Sequence, residues 1–178
     1  MESPDVADVV AAAAGDIGAF ERLVHATEGH LWRYLVHLLD DGALAEDVRQ
    51  EVFIRVHRKL PSLRDPNRFV PWVFAMARNA AYDASRSRRR RKDRLQLVVD
   101  EARHSTSSDP HLEMEVNDAL MRLDEDLREA LVLIGMMGLS YGEVAETLGI
   151  PEGTVKSRVF RARRQLVSSL EMEAPDAY

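Results

Sequence analysis

From Leu44 to Leu60 every fourth residue is apolar: Leu44, Val48, Val52, Val56 and Leu60, with Phe53 widening the stripe. A helix gathers such a series on one face. A strand would mix it with Glu46, Gln50 and Arg58 on the same side, so residues 43–60 are predicted to be helical, stopped by Pro61. In residues 16–39, Phe20, Leu23, Val24, Leu31, Leu35 and Leu38 keep the same spacing, Asp16 is placed to cap the start, and Asp40-Asp41-Gly42 punctuates the end. A short polar loop with two prolines, 61–68, leads to a third helix predicted from Phe69 to Arg91, with Pro71 in its first turn. Phe69, Val73, Met76, Ala77, Ala80 and Ala81 share one face of that helix. Strand patterns are scarce along the whole chain, so the expected fold class is all-α.

The periodicity then lapses. Residues 95–111 end in HSTSSDPH and carry few apolar positions after Leu97-Val98-Val99, which is the composition of a linker. Fully extended, its 17 residues reach about 55 Å, more than the ~34 Å of one turn of B-DNA. Helical spacing resumes with Leu112, Val116, Leu120 and Leu123, and continues through Leu127, Leu131 and Ile134. The expected organisation is two small helical domains, 1–94 and 112–170, joined by a flexible linker over 95–111 and followed by an acidic tail, 171–178.

Residues 138–166, GLSYGEVAETLGIPEGTVKSRVFRARRQL, carry the densest set of signals. Ser140 and Glu143 have capping-box spacing, Val144, Ala145 and Leu148 face inward, Gly149 ends the helix and Pro151 opens the next. There, Val155, Val159, Ala162 and Leu166 line one face and leave Lys156, Ser157, Phe160, Arg161 and Arg164 on the others. Two short helices, a tight glycine turn and one basic polar face describe a helix-turn-helix. Phe160 stays ambiguous at this point: spacing makes it core, while exposure would suit contact with a thymine methyl.

Charge is segregated along the chain. Residues 1–47 carry net −8, 48–94 net +10, 95–147 net −9, 148–170 net +4 and 171–178 net −3, which sum to −6. Two basic blocks set between acidic ones are the footprint expected of a nucleic-acid binder, or else two solvated helix faces. Arginine outnumbers lysine 21 to 3, which favours bidentate phosphate and guanine contacts. The helix beginning at Phe69 adds Trp72, Phe74 and Tyr82 and ends in Arg88 to Lys92, aromatic groups beside basic ones. On the 43–60 helix the apolar stripe leaves Asp47, Gln50, Glu51 and Ile54 outward, a surface better suited to a protein partner than to DNA.

Several chemistries are excluded. There is no cysteine, hence no disulfide, thiol catalysis or cysteine-ligated metal. The six histidines show no metal-site spacing, and no phosphate loop, nucleophile elbow or catalytic carboxylate pair occurs. No apolar run approaches the ~18 residues of a membrane span. The acidic start, with its Ala11–Ala14 run, lacks the basic region of a signal peptide, and the absence of disulfides leads to the expectation of a cytoplasmic protein.

Taken in order, these segments resemble the extracytoplasmic-function group of bacterial sigma-70-type factors, over roughly residues 16–170. AEDVRQEVFIRV and FVPWVFAMARNAAYDASRSRRRR are similar to successive parts of sigma region 2, and LREALVLIGMMGLSYGEVAETLGIPEGTVKSRVFRARRQL to region 4. The resemblance implies a non-catalytic specificity subunit, without cofactor or metal, that binds core RNA polymerase and directs promoter-specific initiation. It implies that Asp47, Gln50, Glu51 and Ile54 grip the clamp helices of the polymerase β′ subunit. Leu63, Arg64, Asp65, Asn67 and Arg68 match the loop that captures a flipped base of the −10 element, with Phe69, Trp72, Arg78, Asn79 and Arg86 completing that face. Thr154, Lys156, Ser157, Arg158, Phe160, Arg161 and Arg164 match the helix that reads the −35 element, which moves Phe160 from core towards DNA. The family further implies contact of region 4 with the β flap, and commonly an anti-sigma protein as regulator. Pro66 and Gly142 depart from the family pattern. The competing reading is a stand-alone helix-turn-helix transcriptional regulator, for which Asp47, Gln50 and Glu51 would be dispensable.

Overall fold

The computed structural model describes residues 4–95 and 118–173. The first stretch holds α1 (Val6–Ala13), α2 (Ile17–Leu39), α3 (Gly42–Lys59) and α4 (Phe69–Leu95). The second holds a helical segment at 118–121, then α5 (Glu125–Gly135), α6 (Tyr141–Leu148) and α7 (Glu152–Glu173). No strand occurs among the described residues, and the fold is all-α with two helical domains.

Caps fix where the helices begin. Asp16 accepts a hydrogen bond from Ala19 N–H at 2.9 Å at the start of α2. Asp41 does the same for α3 through Leu44 N–H at 3.0 Å. Each satisfies a donor that a helix start otherwise leaves open. Between them, Asp40 takes a left-handed φ of 51° and closes α2. Helix α1 was not anticipated. Its alanines are strong helix formers, and a single buried residue, Val9, anchors it to the core, too little pattern to read.

The expected loop 61–68 is more ordered than a loop. It forms two 3-10 turns, Leu60–Ser62 and Pro66–Arg68, each with a proline near its start. Proline's fixed φ and missing N–H suit such a first turn. Asp65 caps the second by accepting from Asn67 N–H at 3.0 Å. Helix α4 runs to Leu95, past the predicted end at Arg91. The expected linker lies outside the described residues except for Leu95, as do Leu112, Val116 and the end of the acidic tail.

Helices α2, α3 and α4 pack on one another, with α1 against α2, and α7 packs on α5 and α6. The two halves are in contact with each other. Helix α5 lies on α2, and α6 on α4, so that one apolar cluster runs from Leu31, Leu35 and Phe74 to Leu131, Leu133 and Leu148. Burying these side chains contributes about 1.5–3 kcal/mol each before the entropic cost of ordering them.

Candidate functional site

Three surfaces and one buried contact bear on function. The first surface is the outer face of α3. Asp47, Gln50 and Glu51 are exposed there, and Ile54 is 53% exposed among them, because Val48, Val52 and Val56 take the inner face. Gln50 donates to Glu46 at 3.0 Å and Arg55 pairs with Glu51, so the stripe is ordered but open to a partner.

The second surface runs from the 3-10 turns along α4. Arg64, Asp65, Asn67 and Arg68 are exposed at the turn, with Leu63 half-buried. Asn79 and Arg86 are exposed on α4, Trp72 is partly buried, and Arg78 lies at the contact between the halves. Phe69 lies on the inner face of α4, where its helical spacing put it, and not on the DNA face that the resemblance implies. It is 2% exposed, with its ring centroid 6.4 Å from that of Trp72, so it is a core residue and presents no face for a base to stack on. It opens α4 on the same face as the buried Val73 and Ala77 and belongs to the apolar cluster that also holds Leu60.

The third surface is on α7. Ser140 and Glu143 form the capping box, with Ser140 N–H donating to Glu143 at 2.8 Å and Ser140 Oγ accepting from Glu143 N–H at 3.3 Å. Gly149 ends α6 at φ 66°, where a side chain would be strained. That turn presents α7 with Lys156, Ser157, Phe160, Arg161 and Arg164 outward and Thr154 half-buried. Phe160 is 61% exposed, with the Arg164 guanidinium 5.9 Å from its ring centroid, which resolves its ambiguity against the core. Arg161 and Arg164 also line an open groove with Arg122, Ser168 and Ser169. Arg158 is the exception on this helix. It turns inward and pairs with Asp126 at 2.5 Å, which makes it a strut between α7 and α5 rather than part of the outer face.

The buried contact was not read from the sequence. Glu129 of α5 has a fully buried carboxylate. Tyr34 of α2 donates to its Oε1 at 2.7 Å, Arg78 Nε of α4 donates to the same oxygen at 2.9 Å, and Tyr82 Oη lies 3.4 Å from Oε2. Arg78 also sits 4.8 Å over the Tyr82 ring. Burial pushes the Glu129 carboxyl above its ordinary value, although the Tyr34 hydroxyl and the Arg78 guanidinium pull the other way. Burial likewise drives the Tyr34 hydroxyl well above its usual range, with the Glu129 charge adding to the effect. Nearby, Arg68 Nε donates to Glu146 of α6 at 2.9 Å, and Thr147 Oγ1 donates to Glu143 O at 2.8 Å and to Pro71 O at 3.4 Å. The one available signal was a glutamate inside the apolar run Ala130 to Ile134 and Leu127, since a buried carboxylate requires a partner.

Residues 23–91 match the sigma-70 region 2 family and residues 113–166 the sigma-70 region 4 family. The chain is 35% identical to the ECF RNA polymerase sigma factor SigC of Mycobacterium tuberculosis, over 91% of this chain and 89% of that protein. It is 31% identical to the RNA polymerase sigma-H factor of Pseudomonas aeruginosa, over 88% of this chain and 89% of the relative. Among solved structures, it resembles the sigma factor RpoE of Bartonella quintana, crystallised with the anti-sigma factor NepR. The TM-score is 0.78 and the identity 30%, over 88% of this chain and 99% of that one. CnrH, in complex with the cytosolic domain of CnrY, gives a TM-score of 0.76 at 26% identity, over 97% of this chain and all of that one.

Proposed function

Because the chain belongs to the extracytoplasmic-function group of the sigma-70 family and so directs promoter-specific transcription by RNA polymerase, we propose how its surfaces divide that work. Residues 1–94 act as the polymerase- and −10-binding domain, 112–170 as the −35-binding domain, with 95–111 as the linker. The outer face of α3 docks on the β′ clamp helices through Asp47, Gln50, Glu51 and Ile54. The turn at 63–68 and the exposed side of α4, with Arg78, hold the −10 strand. Lys156, Ser157, Phe160, Arg161 and Arg164 enter the major groove at the −35 element, with α7 as the reading helix. Region 4 also meets the β flap. The chain carries no chemistry of its own, works in the cytoplasm and answers to an anti-sigma protein, as the anti-sigma complex of the Bartonella relative supports.

The observation that carries this reading over a stand-alone regulator is the α3 face. Among the described residues, Gln50 and Glu51 pair only within α3, with Glu46 and Arg55, and the exposed Ile54 beside these acids suits a protein partner. Asp47→Ala combined with Gln50→Ala should abolish stable binding to bacterial core polymerase while the helical content stays unchanged. With core polymerase and a genomic fragment library, the unmodified chain should give RNA starts that share two upstream motifs. Retained polymerase binding by the double variant would overturn the α3 face as the docking surface, and the absence of both polymerase binding and such starts with the unmodified chain would favour the stand-alone regulator.

A further inference from the structure

Among the outward residues of α3, Gln50 alone can turn two chemically different ends to a partner, an amide nitrogen or a carbonyl oxygen. Its neighbours settle which. The Glu46 carboxylate accepts from Gln50 Nε2 at 3.0 Å, and the same Oε1 accepts from Arg49 Nη2 at 2.7 Å. Arg49 and then Gln50 hold the Glu46 carboxyl below its ordinary value, so near neutral pH it is ionised and can only accept. The amide nitrogen therefore turns to Glu46, and the carbonyl oxygen is left for the open side. Arg49 is in turn held from another helix. Its Nη1 donates to Glu28 Oε2 of α2 at 3.1 Å, and its side chain is only 22% exposed. Its Nε is buried without a hydrogen-bond partner among the described residues, so the two carboxylates are what hold the guanidinium. A surface pair within one helix is ordinarily worth little and leaves its side chains free to turn. Here a planar guanidinium bridges two helices and fixes the oxygen that Gln50 meets.

We infer that Arg49 and Glu46, with Glu28 behind them, are positioning residues that set the Gln50 amide on the docking face of α3. The bracket presents the Gln50 carbonyl oxygen beside the carboxylates of Asp47 and Glu51. The side chain is ordered before a partner arrives, so binding does not have to immobilise it. This inference rests on the reading of α3 as the polymerase-docking surface, and the test separates the two.

Affinity for core polymerase is measured with the full chain carrying Glu46→Ala, Arg49→Ala or Glu28→Ala, each alone and together with Gln50→Ala. Glu46→Ala and Glu28→Ala put a strong helix former at partly exposed sites, so folding is not at stake should Arg49→Ala prove unstable. Each variant should weaken binding by about twofold to tenfold, the cost of immobilising one rotamer-rich side chain. None should have a further effect once Gln50 is alanine, because no amide is left to hold. In the free chain, nitrogen relaxation of the Gln50 side-chain amide should report an ordered group that becomes mobile in Glu46→Ala and Arg49→Ala. Losses of the same size in the Gln50→Ala background would mark direct contact or general stability of α3 and overturn the positioning role. So would unchanged affinity in all three variants, or an amide already mobile in the unmodified chain. If the amide is ordered and the bracket variants release it, yet Asp47→Ala with Gln50→Ala leaves polymerase binding intact, the assignment of α3 to the polymerase is overturned instead.

Discussion

Ninety-five positions separate Tyr34 from Glu129 in the chain, yet the phenol and the carboxylate meet at 2.7 Å in a site that water does not reach. The folded Glu129 carboxyl lies above its ordinary 4.5, so the folded chain holds that proton more tightly than the unfolded one. Its contribution to stability is full below the ordinary value and is lost as pH rises through the raised one. Asp41 behaves oppositely. The Leu44 N–H and then Arg88 hold it below 3.8, so its contribution is present above that value and is lost as pH falls through the lowered one. Glu129 faces Tyr34 from α2 and Arg78 and Tyr82 from α4, with Glu125 beside it, while His37 and Arg128 line the same small cavity. Glu129→Gln should therefore flatten the decline in thermal stability above pH about 4.5 and leave the acid limb untouched. An unchanged slope between the two proteins would rule out burial as the dominant influence on this carboxyl.

At the scale of elements, much was legible because caps and stripes are local. Asp16, Ser140 with Glu143, and Gly149 each act within a turn of their own helix, and the structure places them as the spacing predicted. The outward faces of α3 and α7 followed from the same arithmetic, since an apolar stripe fixes what is left over. Ser140→Ala should remove the capping box and cost about 0.5–2 kcal/mol in a denaturant titration, with the loss confined to the second half if hydrogen exchange is followed. Phe69 and Arg158 depart from the roles that the resemblance implies, for different reasons. The spacing on α4 already placed Phe69 on the inner face, where it lies, whereas the direction of Arg158 depends on Asp126, 32 positions away on α5. Helix α1 went unseen because one buried valine makes no period.

For the whole molecule, periodicity identified two helical units but was silent on how they meet. That meeting depends on Glu129, Glu146 and Thr147, polar residues whose partners lie 95, 78 and 76 positions away. No window of sequence spans such a pairing. Residue spacing names the faces an element can offer, while the choice among them is made by the rest of the fold.

The pairing of α3 with α4 has a metric consequence. These helices are tied near one end by the ion pair of Asp41 with Arg88, and joined at the other by two 3-10 turns between the buried Leu60 and Phe69. Such a frame works as a ruler, since it sets a fixed length between the outer face of α3 and the surface of the turns and α4, which we propose as the places for the polymerase and for the strand. Inserting one residue between Leu63 and Arg64 should leave both helices folded and polymerase binding intact. The mapped RNA starts should nonetheless shift or vanish, because the two grips would no longer be in register.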